Sequence, residues 1–304
     1  MNSLIESQFR MTMDKLSNYE AISVPELEQY IEEAGEQLKA ALRKQTTRES
    51  EDFRLRCSNV GRPECQLISE KEGKPREKMP YNHIFRMMYG DCTEILVEFL
   101  AKVAGINITG GKSEAHLDIG NVEIKGEDDI EIDGKVFDTK SSSPWAYENK
   151  WTGGWDDLSK DDAFGYTAQL LAYSKGTGKP MGGWIVVNKS TGELKVVEAN
   201  PTPAQIKKLD QQITTTVTNV SADNAKLVKG FEPSTEYFRR VPTGSKRLHT
   251  TCTFCSYKMQ CWPNAVYKPQ TGSKAQNPRY YWYSEYAGED GTKPIKMAMG
   301  GADE

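Results

Sequence analysis

No apolar run in this chain approaches the roughly 18 residues that a membrane-spanning helix needs, and the mean hydropathy is negative. Met1 to Lys15 has no continuous apolar core of the kind a secretory signal carries. These two absences lead us to expect a soluble, cytoplasmic protein with no membrane partner. An excess of positive charge is also missing. The net charge of −4 lacks the basic footprint common in nucleic-acid-binding proteins. That still leaves room for an acidic site that meets phosphate through a metal ion in a local groove. No internal repeat is visible. The six cysteines, in a reducing compartment, call for a metal-site reading before a disulfide one.

The most informative stretch is Lys125 to Ser142, KGEDDIEIDGKVFDTKSS. Asp133-Gly134 is a strong two-residue hairpin signal. With those two in the turn, Ile132 faces Lys135, Glu131 faces Val136, Ile130 faces Phe137 and Asp129 faces Asp138. Directly opposed side chains lie roughly 4.5–5.5 Å apart at Cβ, and Lys140 shares a face with Asp138. Opposed like charges destabilise a sheet unless a cation or a proton compensates them. A divalent ion with hard oxygen ligands, Mg²⁺ or Mn²⁺, is the simplest compensation. The alternative is a solvated edge in an acidic stretch that also holds Glu127, Asp128, Glu131 and Asp133.

Around this hairpin the pattern alternates. Residues 1–55 read as helical, with an apolar stripe of Leu27, Ile31, Ala34, Leu38 and Leu42 expected to pack on the domain behind it. A helix over 82–104, stopped by Gly105, buries Ile95, Phe99 and Val103 and gathers Asp91, Glu94 and Glu98 on another face. That face could deliver a carboxylate to the hairpin or could simply be solvated. Strands are expected across 114–140, a helix over 160–174, strands at GGWIVVN and ELKVVEA, and a helix over 203–226. The domain scheme is a helical region at 1–55, a main domain at 56–265 and a polar tail at 266–304.

Gly126-x-x-Asp129 followed by Asp138-x-Lys140, with Gly90 and Glu94 on the preceding helix and Gln169-x-x-x-Tyr173 on the next, resembles the PD-(D/E)XK nuclease superfamily. Within it the chain is most similar to the RecB-type branch. The resemblance implies an α/β fold with a restriction-endonuclease-like core, a central mixed sheet flanked by helices. It implies that Asp129 and Asp138 hold a metal, with Thr139 giving a carbonyl. Lys140 serves the nucleophile, and Gln169 and Tyr173 lie beside it. Glu94 stands where many RecB-type members carry histidine.

Cys252-x-x-Cys255-x5-Cys261 with an early Cys65 is similar to the iron-sulfur nucleases of that superfamily, among them CRISPR-associated adaptation exonucleases and AddB-type nuclease domains. By that resemblance Cys65, Cys252, Cys255 and Cys261 hold a 4Fe–4S cluster that staples the C-terminal segment. Spacing alone suits structural Zn²⁺ as well. Cys57 is the fallback early ligand, and Cys92 is read as packing.

The function so implied is metal-dependent hydrolysis of DNA, exonucleolytic on single strands or duplex ends, in recombination, repair or processing. Recombination or single-strand-binding proteins would be its partners, and a virus-encoded enzyme in the host cytoplasm fits. The alternative is a non-catalytic DNA-binding or scaffolding module. Trp151 with Lys150 is a candidate for base stacking, against the alternative of packing under the next helix, which we assign to Trp155. Arg239-Arg240 and Lys246-Arg247 are candidate phosphate contacts or plain solvated charges.

Overall fold

Asp133 and Gly134 adopt φ of +51° and +73°, the left-handed pair that a tight two-residue hairpin requires. Ile132 pairs with Lys135, Glu131 with Val136 and Ile130 with Phe137, in the expected register. The ladder stops there, so Asp129 stands just beyond it. The structure is a computed structural model that describes residues 3–49 and 52–288.

In chain order the elements are α1 (Leu4–Ser17), α2 (Leu27–Thr46), α3 (Glu64–Lys71), α4 (Tyr81–Val103), β1 (Ile108–Gly110), β2 (Glu114–Ile119), β3 (Val122–Glu127), β4 (Ile130–Ile132) and β5 (Lys135–Ser142). There follow α5 (Pro144–Asn149), α6 (Gly154–Lys160), α7 (Tyr166–Thr177), β6 (Met181–Asn188), β7 (Leu194–Glu198) and α8 (Pro203–Ser221). The chain continues with β8 (Ser234–Phe238), β9 (Val241–Arg247), α9 (Thr250–Phe254), α10 (Lys258–Cys261), β10 (Val266–Pro269) and β11 (Tyr280–Glu285).

The described residues fall into two units, 3–49, 52–61 and 80–218 in the first, and 62–79 with 219–288 in the second. The units interleave along the chain, whereas the sequence pattern divides it serially at 55 and 265. The region expected to be a polar tail contributes β10 and β11 to a four-stranded sheet, ordered β10-β11-β9-β8. Residues 289–304 of that tail lie outside the described residues.

The first unit is α/β, with a five-stranded sheet ordered β1-β4-β5-β6-β7. It is mixed: β5 and β6 run parallel, and the other neighbours antiparallel. Phe9 of α1 and Val97 and Ala101 of α4 bury Ile130, Ile132, Phe137 and Ile185 of the sheet, removing apolar surface from water at roughly 25 cal/mol per Å². Helix α7 packs on β5, β6 and the separate β2-β3 hairpin. No helix among the described residues is long and apolar enough to cross a membrane.

Two sequence expectations change. The α2 stripe does not pack inward: Ile31, Leu38 and Leu42 are exposed. Polar contacts hold α2 to α4 instead, from Gln45 to Asp91 at 2.7 Å, Gln37 to Glu98 at 3.0 Å and Lys102 to Glu33 at 2.8 Å. The helix expected over 160–174 starts only at Tyr166, as α7, with α6 ending at Lys160. Asp162 interrupts it by accepting the Tyr166 and Thr167 amides, both at 2.8 Å, which caps α7 and ends any continuation from α6.

Candidate active site

Asp138 and Lys140 lie two residues apart on β5 and therefore on one face. Lys140 Nζ is 2.6 Å from Asp138 Oδ2, and the Asp138 side chain is 1% exposed. Neither Asp138 oxygen has a partner in good hydrogen-bond geometry, so the contact with Lys140 is close but poorly aligned. Asp129 Oδ2 accepts the Thr139 amide at 2.7 Å, which carries its carboxylate across to β5 where the ladder has ended.

Helix α4 brings the third carboxylate. Of its acidic face, Asp91 is taken by Gln45, and Glu98 by Gln37 and Lys102. Glu94, between them, lines a cavity of about 770 Å³ together with Asp129, Asp138, Thr139, Lys140, Gln169 and Tyr173. One cavity thus gathers every side chain to which the resemblance gives a catalytic role. Gln169 Nε2 donates to the Tyr173 hydroxyl at 3.3 Å, one helical turn apart on α7.

Burial and mutual repulsion disfavour charge on these acids. Burial chiefly, then the charge of Asp129, pushes Glu94 up to about 8. Burial raises Asp138 to about 7 against the pull of Lys140, and it raises Asp129 as well. For Lys140 burial opposes the cation, but Asp138 and Asp129 outweigh it and hold the ammonium well above its usual range. Burial, with help from Asp138, also raises the Tyr173 hydroxyl.

An acid raised in the folded state binds more protons there than in the unfolded chain, so its stabilising effect is full below about pH 4 and is lost as pH climbs through 7 to 8. The chelated protein should therefore show a Tm contribution from this site that falls between pH 4.5 and 8. The Asp138→Asn variant should flatten that fall, and a steeper fall in the variant would contradict the assignment.

The donor set suits a hard divalent cation: the buried Asp138, the half-buried Asp129, a third carboxylate close by, and Asp138 oxygens without well-aligned donors. Even so, no group of three or more His, Cys, Asp or Glu among the described residues is drawn together closely enough to hold a metal ion.

Of the aromatic segment after Lys140, Trp145 is exposed, whereas Tyr147, Trp151 and Trp155 are buried and offer no stacking platform. Trp151 is 3% exposed, stacked on Tyr166 at 5.4 Å between ring centroids and tilted against Trp184 at 5.7 Å. The reason is local: α5 and α6 pack against β6 and β7, where the fully buried Trp184 offers an apolar surface. Trp155 packs there too, at 5.8 Å from Trp184. Trp151 is accordingly a core residue, and Lys150 pairs with Asp161 at 3.4 Å. Tyr166, which the sequence did not single out, lies with its ring 5.3 Å from Lys140 Nζ.

The sequence also gave no role to the cations of the cavity. Lys44, Arg54, Arg56, Lys112 and Lys125 line the same space as the acids. Arg54 and Arg56 are set by Asn59, whose side chain accepts the Arg56 amide at 2.8 Å and donates to the Arg54 carbonyl at 3.0 Å. The segment then runs parallel to β3 through an Arg56–Lys125 bridge.

The second unit holds Cys65 on α3, Cys252 on α9, Cys255 at its C-cap and Cys261 at the end of α10. Burial, followed by the negative charge of neighbouring cysteines including Cys65, pushes the Cys252 thiol up to about 11. Burial likewise raises Cys255 to about 11, and it raises Cys261, with Cys65 acting on both. The Tyr257 amide donates to Cys255 Sγ at 3.4 Å. Cys57 belongs to the first unit and is fully buried, its thiol against Gly126. Arg239 and Arg240 form the turn between β8 and β9, and Arg247 is paired inward with Glu236.

No family model and no curated protein matches this chain. The chain is similar to a solved structure titled "Crystal structure of SSO0001", at 15% identity and a TM-score of 0.39, over 74% of this chain and 94% of that one.

Proposed function

We propose that this protein is a divalent-metal-dependent deoxyribonuclease of the PD-(D/E)XK type, an exonuclease acting on single strands or duplex ends. The observation that carries the reading is the convergence of Asp129, Asp138, Lys140 and Glu94 in one cavity that cations also line. The mixed sheet with β5 and β6 parallel, with Asp138 on β5 and Asp129 just before β4, is what a restriction-endonuclease-like core would supply.

Asp129 and Asp138 would hold Mg²⁺ or Mn²⁺, with the Thr139 carbonyl and Glu94 completing the oxygen ligands. Such an ion, when bound, lowers the pKa of water and neutralises charge on phosphate oxygens. The chain's own residues do the rest. Lys140, kept protonated by its two carboxylate neighbours, stabilises negative charge where the nucleophile approaches rather than accepting a proton. Tyr173 and Gln169, hydrogen-bonded to each other, border that position. Arg54, Arg56 and Lys112 offer phosphate contacts along the cavity wall.

Digestion of end-labelled linear and of circular single-stranded and duplex DNA with Mg²⁺ or Mn²⁺ tests this. Release of end label with circles resistant is the expected result. No hydrolysis of any substrate with either ion would overturn it.

For the cysteines we favour a 4Fe–4S cluster over Zn²⁺, held by Cys65, Cys252, Cys255 and Cys261 within the second unit. Four thiolates are the complement such a cluster requires. Joining residue 65 to residues 252–261 closes a long loop, where a covalent clip has the most entropy to remove. Anaerobically purified protein should be brown. Serine at any of these four positions should bleach it and lower Tm, whereas Cys57→Ser should keep the colour. Colour lost in Cys57→Ser and kept in Cys65→Ser would exchange the two.

A further inference from the structure

The turn between β8 and β9 breaks a local rule. Phe238 pairs with Val241, so Arg239 and Arg240 are the two loop residues, and both have positive φ, +49° and +69°. A two-residue turn of this kind prefers Asn-Gly, since the left-handed region is disfavoured for L-residues other than Gly, Asn and Asp. Such strain persists only where the surrounding structure fixes it. Here it does. Below the tip, the buried Glu236 accepts from Tyr283 Oη at 2.7 Å, Arg247 Nε at 3.0 Å and Thr243 Oγ1 at 2.9 Å. Phe238 fits against Gly272, where an added Cβ would come within 3.3 Å of its ring.

The tip itself is solvent-facing: Tyr237 is 59% and Val241 64% exposed, and both arginines are exposed. Among the described residues neither arginine forms an ion pair, while nearby Lys246 and Arg247 are each paired with a carboxylate. The Arg239 guanidinium carbon lies 5.4 Å from the Phe238 ring centroid, which holds one of the two cations at the tip, and a broken local rule of this kind is expected at functional or strained positions. Guanidinium groups held on a rigid tip beside an exposed tyrosine suit a phosphodiester backbone.

We infer that the Arg239-Arg240 hairpin tip is a second nucleic-acid contact, made by residues other than those of the cavity, that grips two backbone phosphates of a nucleic-acid strand. The choice of a nucleic acid over an acidic protein rests on the nuclease reading above. The contact is electrostatic and independent of base sequence, so it sets affinity and not the chemical step.

The test compares the full-length wild type with Arg239→Asn/Arg240→Gly by fluorescence anisotropy on labelled single-stranded and duplex DNA, in Ca²⁺, across a salt series. The variant should lose affinity by roughly tenfold or more near 0.1 M salt, and its slope of log K against log salt on duplex should fall by about 1.8, for two phosphates. Its Tm should rise, because Asn-Gly suits the turn. Arg239→Lys/Arg240→Lys should keep most of the slope. An unchanged slope in the Asn-Gly variant, with nuclease activity intact, would overturn the inference alone and leave an acidic protein as the partner of the tip. Failure of the wild type to bind any DNA would overturn it together with the nuclease reading. If the Asn-Gly variant does not fold, Arg239→Gln/Arg240→Gln gives the same slope measurement.

Discussion

Asp138→Asn should lower DNA hydrolysis by at least roughly 10²–10³-fold, the scale on which a site loses rate when one electrostatic element is removed, while making the chelated protein more stable at pH 8. The two effects have one cause. Asp138 is a buried carboxylate beside Asp129, raised to about 7 chiefly by desolvation, so at pH 8 it carries a charge that the fold opposes. An amide of the same shape removes that penalty and, with it, a proposed metal ligand. Asp129→Asn should behave in the same way. Lys140→Ala should differ: activity falls, but stability at pH 8 falls too, because Asp138 and Asp129 lose the cation that offsets them. Activity assays with Mn²⁺ beside thermal melts in chelator separate these outcomes. An Asp138→Asn enzyme with near wild-type turnover would remove Asp138 from the site.

The β4–β5 hairpin was readable because its signals are local. Asp133-Gly134 sets the turn, the turn sets the register, and period-2 alternation sets which side chains share a face. Glu94 was readable only as one of three acids on a helical face. What selects it is tertiary: Gln45, Gln37 and Lys102 satisfy its neighbours Asp91 and Glu98, and nothing in the sequence of α4 announces those partners. Tyr166 escaped notice for a similar reason. Its place by Lys140 depends on Asp162 restarting the helix at α7, and the periodicity over 160–174 concealed that break.

The units illustrate the same limit at larger scale. Residues 62–79 group with the strands after 219, an association made by contacts such as Lys71 Nζ to the Val220 carbonyl at 2.8 Å and the Glu77 amide to the Ser256 carbonyl at 2.8 Å. Composition along the chain cannot show that grouping. Cys65, the early ligand that the resemblance implied, lies in one unit with Cys252, Cys255 and Cys261, and Cys57 lies in the other.

Trp151→Ala should cost roughly 3–5 kcal/mol of stability, the scale for truncating a buried large aromatic, or roughly 6–20 °C in Tm for a unit of this size. The indole is 3% exposed and touches Tyr166 and Trp184, so its removal leaves a cavity that those rings fill only in part. The ring of Tyr166 is also the one beside Lys140, and a Tyr166 free to move loosens the lysine, so turnover should fall even where the variant is fully folded. Trp151→Phe should recover most of the stability and much of the rate. Single-strand affinity, measured by anisotropy in Ca²⁺ at a temperature where every variant is folded, should stay within about twofold of wild type, well inside the 1–3 kcal/mol that a lost base stack costs. A variant of wild-type Tm that binds single strands tenfold more weakly would put the indole back on the path of the DNA.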